Sequence, residues 1–312
     1  MILAVTMNPS VDISYPLAEF KLDDVNRVEQ VRKTAGGKGL NVARVIRQMD
    51  EDVLATGVLG GTLGDYIIQE LSKTEIANDF LKINQESRNC IAILHDGQQT
   101  EILESGPTLT EENGAAFVKK YQELLSGVSI VTISGSLPKG LEPGYYRQLV
   151  ENGREQGIPV IVDTSGEALR QVLVHRVKPF AIKPNLTELS QLLGQEVEPG
   201  IDSLQQALSD ELFQGIEWIV VSLGSEGAFV KHRADFYRVT IPAIEVVNPV
   251  GSGDATVAGL AAALKRNLPV ADVLKTAMTT GMLNTMEAGT GSINYANFSR
   301  LFEMVQITKI NS

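Results

Sequence analysis

Cysteine is nearly absent from this chain. Cys90 is the only one in 312 residues, so no intrachain disulfide can form, and a reducing cytoplasm is the expected compartment. Histidine is scarce as well. His95, His175 and His232 stand far apart and do not suggest a zinc site of the Cys/His type. No apolar run reaches the roughly 18 residues of a membrane span, and no basic-then-apolar leader precedes the first apolar stretch. Positive charge is in deficit: 27 Lys and Arg face 38 Asp and Glu, for a formal charge of −11. That balance argues against a nucleic-acid partner. It also means that a phosphorylated ligand needs a local cluster of cations.

The remaining balance, 43% hydrophobic and 21% charged, is that of an ordinary globular protein with a buried core. At 312 residues one large α/β domain is expected over 1–312, without low-complexity linkers or repeats. Short apolar runs occur at 2–7, 53–59, 128–134, 159–164, 180–185 and 217–223. Helical patterns lie between them, near 40–49, 63–74, 111–125, 143–156, 186–193 and 202–213. This alternation predicts a mostly parallel sheet covered on both faces, a three-layer α/β/α fold. Ligands then sit at the carboxyl ends of the strands. Thr132, Ser134, Asp163, Lys183, Asn185 and Ser222 stand at those ends.

Four segments break the rhythm. Residues 11–15, 27–32, 90–96 and 99–104 alternate apolar and polar side chains, and "GQ" joins the last two as a hairpin turn. They predict a small sheet with one wet face, drawn from about 11–32 and 88–105 and placed to act as a lid.

Two glycine-rich stretches run into helices. In "NPVGSGDATVAGLAAALKR" (248–266) the apolar spacing starts a helix near Ser252 or Gly253. Helix N-termini with close-approach glycines hold phosphate. A carboxylate there, Asp254, repels an anion and makes sense as a proton acceptor; a simple helix-start role is the alternative. "AGGKGLNVARVI" (35–46) is the second such entry, with Lys38 and Asn41 at its start. Neither stretch has Walker spacing. "GSGDAT" has Thr256 where a dinucleotide fingerprint needs its third glycine, and no G-x-S-x-G elbow exists. "GGTLGD" (60–65) reads as a structural strand-to-helix turn. Two glycine-rich helix starts some two hundred residues apart suit a two-substrate site.

"GGKGLN" (36–41) and "VGSGDATVAG" (250–259) resemble the two signatures of the ribokinase-like PfkB carbohydrate kinases. "TMNPSVD" (6–12), "SGSLPKG" (134–140), "KPNLTE" (183–188) and "VSLGSEGA" (221–228) follow in the family's order, so the resemblance spans the chain. It is strongest to the branch acting on ketohexose phosphates, first the kinases of tagatose 6-phosphate in lactose catabolism and next those of fructose phosphates. The resemblance implies a ribokinase-like fold, ATP and Mg²⁺. Asp254 becomes the base, and Gly251, Ser252 and Gly253 the anion hole for the transferring phosphoryl group. Asp12, Gly37 and Asn41 are expected on the sugar hydroxyls. Lys38 and Arg88, with Arg27, are expected on the phosphate the sugar already carries. On the nucleotide side the expectation is Lys183, Asn185, Ser222, Gly224, Gly227 and Asn284, with Glu188 acting on Mg²⁺ through water. Asn248-Pro249 replaces the usual Asp-Thr opening of the second signature, which puts a monovalent-cation site in doubt. The expected reaction is D-tagatose 6-phosphate plus ATP to the 1,6-bisphosphate plus ADP, with fructose 1-phosphate or fructose 6-phosphate as rival substrates. A silent sensor on the same fold is the rival of another class, and Asp254 argues against it. A homodimer paired through lid strands, and no membrane partner, complete the expectations.

Overall fold

The computed structural model describes residues 1–310. The chain opens with β1 (Ile2–Thr6), β2 (Ser10–Pro16), β3 (Arg32–Gly36) and α1 (Lys38–Gln48). Next come β4 (Val53–Gly60), α2 (Gly61–Lys73), β5 (Ala77–Asn78), β6 (Leu81–Ile83), β7 (Arg88–His95) and β8 (Gln98–Leu103). The middle holds α3 (Glu111–Leu124), β9 (Ile130–Ser134), α4 (Tyr145–Glu155), β10 (Val160–Asp163) and α5 (Gly166–Val174). Then follow β11 (Ala181–Ile182), α6 (Leu186–Leu193), α7 (Ile201–Leu208), β12 (Trp218–Ser222), β13 (Ala228–His232) and β14 (Asp235–Thr240). The chain closes with α8 (Ser252–Lys265), α9 (Val270–Thr285), α10 (Phe298–Met304) and β15 (Gln306–Ile310).

The large sheet has the order β15-β14-β13-β12-β11-β10-β9-β1-β4-β5, with β6 also beside β4. It is parallel from β5 to β12 and turns antiparallel over β12 to β15. Side chains alternate through it. Ile2 and Ala4 face one buried cluster with α1, α2, α8, α9 and α10. Leu3 and Val5 face the other, with α3 to α7. This is the three-layer α/β/α arrangement that the pattern predicts, and it agrees with the ribokinase-like fold that the resemblance implies. From β1 the chain leaves one way to β4 and the other way to β9, so the order reverses there and opens a crevice at the strand ends. Among the described residues no helix is long and apolar enough to cross a membrane.

The small sheet, order β3-β2-β7-β8, stands over that crevice. β2 leaves the carboxyl end of β1 after three residues, and β3 runs into α1 at Gly37. Two details differ from the sequence reading. The strand expected over 27–32 begins only at Arg32, because residues 21–26 close a loop. There the Asn26 amide donates to Lys21 O at 2.7 Å and accepts from Lys21 N at 2.9 Å. The hairpin turn is Asp96-Gly97 rather than "GQ": both residues have φ near +60° (49° and 69°), as a two-residue hairpin loop requires. Helix α7 also ends at Leu208, short of 213, where Asp210 turns its carboxylate onto Leu212 N. The antiparallel run β13 to β15 is not expected from the pattern, since β13 has only three buried apolar residues and β14 and β15 are half-exposed.

Candidate active site

One cavity of about 1100 Å³ lies between the small sheet and the strand ends. Strand pleating decides what the lid contributes. Ser10, Asp12 and Ser14 of β2, Arg32 and Thr34 of β3, Arg88, Cys90 and Ala92 of β7, and Gln99 and Glu101 of β8 line the cavity at alternate positions, with Ile13 and Ile91 also reaching it. From the core come Lys38 and Asn41, Asp163, Lys183, Asn185, Glu188, Ser222, Gly224, Gly227 and the segment Asn248–Asp254.

Both helix starts need their glycines. Gly37 (φ 101°) precedes α1 and Gly251 (φ 84°) precedes α8, each in the left-handed region. At Gly36 a Cβ would fall 2.0 Å from Asp12 Cγ, so the missing side chain makes room for that carboxylate. The first intrahelical bond of α8 runs from Ala255 N to Gly251 O, and the N–H groups of Gly253 and Asp254 lie ahead of the ladder. Ser252 N donates to Pro249 O at 3.3 Å, a long bond that an anion can displace.

Asp254 is buried, and its Oδ2 accepts from Asn41 Nδ2 at 2.8 Å. Burial, then the neighbouring Asp163 carboxylate, push its pKa up to about 7, against the pull of Asn41, Lys38 and Lys183. A carboxylate with that value is matched to general-base work near neutrality. Asp163 sits between two ammonium groups, 3.3 Å from Lys183 Nζ and 3.8 Å from Lys38 Nζ. Lys38, whose pKa is raised chiefly by Asp163, therefore stands at the base end of the cavity and not purely as a clamp for a distal phosphate. Asp12 accepts from Ser10 Oγ at 2.6 Å. Burial raises its pKa, while the fields of Arg44 and Arg88 oppose the rise.

Arg88 bridges core and lid. Its Nε and Nη2 donate to Asn8 O at 3.2 and 3.0 Å, and Nη1 donates to Glu104 O at 2.9 Å. The guanidinium is thereby fixed in the cavity wall with donors to spare. On the opposite side Asn185 and Glu188 form a capping box on α6, with bonds of 2.8 and 2.9 Å. Asn185 bridges to Ser222 on the neighbouring strand, which gathers these polar groups at one edge.

Two sequence-predicted residues lie elsewhere. Arg27 is exposed in the loop before β3, outside the cavity lining, because the lid strand starts five residues later. Asn284 is fully buried. Its Nδ2 donates to Val250 O at 2.9 Å and its Oδ1 accepts from Gly291 N at 2.8 Å, so it holds the loop before α8 and offers no face to a base. The sequence pattern puts Asp163 at the ligand end of the sheet without assigning it a role, and it does not single out Arg44. Asp163 carried a signal as a charged residue ending an apolar strand, and Arg44 as a charge within the apolar stripe of α1, three residues after Asn41.

A family model described as pfkB family carbohydrate kinase matches residues 5–296, and the chain belongs to that family. A Staphylococcus aureus chain provisionally described as a phosphofructokinase is 29% identical, with full coverage of both chains and a TM-score of 0.86. Escherichia coli phosphofructokinase-2 in complex with potassium is 26% identical, covering 97% of this chain and 98% of that one, with a TM-score of 0.90. A Thermotoga maritima chain provisionally described as a 1-phosphofructokinase is 25% identical, with 99% coverage of both and a TM-score of 0.89.

Proposed function

We propose that this pfkB-family carbohydrate kinase transfers the γ-phosphoryl group of ATP to a ketohexose phosphate, and that D-tagatose 6-phosphate is the substrate. One observation carries the catalytic reading: a buried carboxylate poised near neutrality, Asp254, opens a helix N-terminus at the end of a cavity that also holds Asp12 and Arg88. Asp254 takes the proton of the attacking sugar hydroxyl. The hydroxyl oxygen then bonds to the γ-phosphorus, the bond to the β–γ bridging oxygen breaks, and ADP leaves. The N–H groups at the start of α8, with Lys38 and Lys183, meet the charge on the transferring group. Lys38 and Lys183, on either side of Asp163, supply the cations that the net charge of −11 otherwise denies.

The donor set suits Mg²⁺. Glu188, Asp163 and Asn185 offer hard oxygens, and Asp163 Oδ2 is buried without a hydrogen-bond partner. Among the described residues no cluster of three or more His, Cys, Asp or Glu could cage a metal. An ion that keeps its waters and rests on nucleotide phosphates needs no such cage. Bound there, Mg²⁺ would neutralise phosphate charge.

The small sheet gives the sugar its side of the cavity through Asp12 and Arg88, with Gly36 making room for the Asp12 carboxylate. "TMNPSVD", "GGKGLNVARVI" and "SGSLPKGL" support the ketohexose-phosphate branch, within which the resemblance to the tagatose 6-phosphate kinases selects the substrate, and the phosphofructokinase relatives favour fructose phosphates as the second reading. Asn248 does not offer a charged ligand for a monovalent cation. Its amide instead donates to Ala288 O at 3.2 Å and accepts from Val250 N at 3.0 Å. The exposed edge strand β8 carries neither Lys nor Pro and suits pairing with a second copy. An ADP-release assay across tagatose 6-phosphate, fructose 6-phosphate and fructose 1-phosphate tests the substrate. The highest kcat/KM is expected for tagatose 6-phosphate; a fructose phosphate preferred instead overturns that choice but keeps the class.

A further inference from the structure

Asn41 holds the proposed base, but an amide can hold a carboxylate only one way round. Its Nδ2 must face Asp254 and its Oδ1 must face a donor. The structure supplies that donor one helical turn on. Arg44 Nη1 donates to Asn41 Oδ1 at 3.2 Å, and a guanidinium has no acceptor with which to satisfy the reversed amide. The same guanidinium reaches two further segments. Nη1 also donates to Thr290 O at 2.7 Å, in the loop after α9, and Nη2 donates to Ala35 O in the lid strand β3. That loop lies directly on the pair: a Cβ at Gly291 would fall 2.7 Å from Arg44 Nη1 and 2.9 Å from Asn41 Cα. Gln48, one turn further, repeats the tie by donating to Gly291 O at 3.0 Å and accepting from Ile293 N at 2.7 Å.

We propose that Arg44 is a positioning residue: it locks the Asn41 amide in the orientation that donates to Asp254, and links that orientation to the placement of β3 and the 288–291 loop. The inference rests on Asp254 being the base. With Asn41 locked, one Nδ2 hydrogen serves Asp254 and the second stays available to a sugar hydroxyl. Without Arg44 the amide is free to turn its oxygen toward the carboxylate, which disfavours the ionised form. Charged groups facing Asp254 are Lys38 and Arg44 from α1, Asp163 from β10 and Lys183 beyond β11. Arg44 also feels Asp12 of the lid and Glu70 of α2. Only Asp163 opposes ionisation of Asp254 by its charge, so removing a cation moves the base toward its protonated form.

The test compares Arg44→Met and Arg44→Lys with the native enzyme over about pH 5.5 to 9, using the sugar phosphate that the native enzyme turns over fastest. For Arg44→Met, kcat near neutrality is expected to fall on the order of 10- to 100-fold, with the KM for ATP within about twofold. The acidic limb of kcat/KM should move to higher pH, so the deficit at about pH 6 exceeds that at about pH 8. Arg44→Lys keeps the charge but cannot span three acceptors. It should hold the limb near its native place and recover only part of kcat. Amide exchange of residues 286–293 should quicken in Arg44→Met whatever the substrate proves to be. A loss of kcat uniform across pH, or unmoved exchange in that loop, overturns the inference. If Arg44→Met does not fold, Arg44→Lys decides alone, and native kcat at every pH overturns the proposal. Failure of the base reading is seen separately, as native turnover in Asp254→Asn.

Discussion

The two glycine-rich helices of the site begin alike and are built differently. Both start from a left-handed glycine at the strand ends, and they pack on each other through Asn41 and Asp254. Helix α8 is buried from Asp254 through Ala263, and Asp254 is its only charge before Lys265. Helix α1 carries Lys38, Arg44 and Arg47 beside its buried stripe and continues directly from a lid strand. An element buried on all sides holds one carboxylate still, at a cost in desolvation. Helix α1, with Lys38 exposed and Arg44 bonded to β3 and to the loop after α9, joins the small sheet to that fixed point. Changes at the start of α8 should therefore appear in kcat, and changes at the start of α1 and in the lid should appear in sugar affinity.

The strongest attempt to break this division is Asp254→Asn. The shape survives and the base is lost, so kcat should fall by a factor on the order of 10² or more. Calorimetry should find ATP binding retained, since the carboxylate does not attract phosphate. Stability gives an independent reading. In the folded state the Asp254 pKa lies above its ordinary value of 3.8, at about 7. Ionisation is thus disfavoured by folding, and the group subtracts stability increasingly as pH rises from about 4 to 7, with the full cost above that. The Asn variant should melt no lower than the native enzyme at about pH 8, while being nearly inactive. In the native enzyme the acidic limb of kcat/KM should lie near pH 7 for the same reason. Near-normal turnover in the variant, or a limb below pH 5, would remove Asp254 as the base.

On the other side of the comparison stands Arg88. Replacing it with Ala should raise the KM for the sugar phosphate, a loss on the order of 2–5 kcal/mol for a desolvated pair. The KM for ATP should stay nearly constant. A fall in ATP affinity instead would place Arg88 on the nucleotide side and dissolve the division.

A pair of glycine substitutions sharpens the contrast with smaller effects. In Gly36→Ala the new methyl collides with the Asp12 carboxyl at about 2.0 Å, so Asp12 must move. Sugar KM should rise by roughly tenfold with kcat less affected. In Gly253→Ala the nearest atom is Lys183 Nζ at 3.1 Å, the end of a flexible chain that can yield. The fold should accept it, and the penalty should fall on kcat as the lysine is pushed from the transfer point. Equal effects on both constants in both variants would show that the two helix starts do one job.

The same contrast shows what could be read in the chain beforehand. Apolar runs, glycines and Asp254 were legible, because pattern and helix-start chemistry are local. The small sheet was legible too, since alternation at 11–15, 90–96 and 99–104 survives in β2, β7 and β8. What escaped depends on partners distant in sequence. Arg44 is only a charge within an apolar stripe until the Thr290 carbonyl, 246 positions away, is seen to accept its hydrogen bond. Asn284 resembles a ligand residue until its amide is seen spent on Val250 and Gly291. Arg27 was placed by a strand that starts too late to carry it. The substrate's epimer is a matter of pocket shape, which no one-dimensional spacing encodes.

The smallest expected signal is in amide exchange, and it probes the joint itself. All four strands of the small sheet line the cavity, so a sugar phosphate that touches Asp12 and Arg88 contacts small sheet and core together. Such a ligand favours closure in proportion to the contacts it makes only in the closed state. Closure also excludes water from the γ-phosphoryl group. Exchange in β2, β3, β7 and β8 should slow severalfold with sugar phosphate, while residues 217–230 respond mainly to ATP. Strand β8 is the element to watch, because every one of its residues is exposed in the single chain, Ile102 and Leu103 at 53% and 60%. If two copies pair along that edge, its amides are protected without ligand, and protection falls on dilution. If they do not, β8 is fast until sugar phosphate arrives. A β8 that exchanges at one rate with and without sugar phosphate, and at every protein concentration, would mean that the small sheet neither closes nor pairs, and that α1 joins the fixed base to nothing that moves.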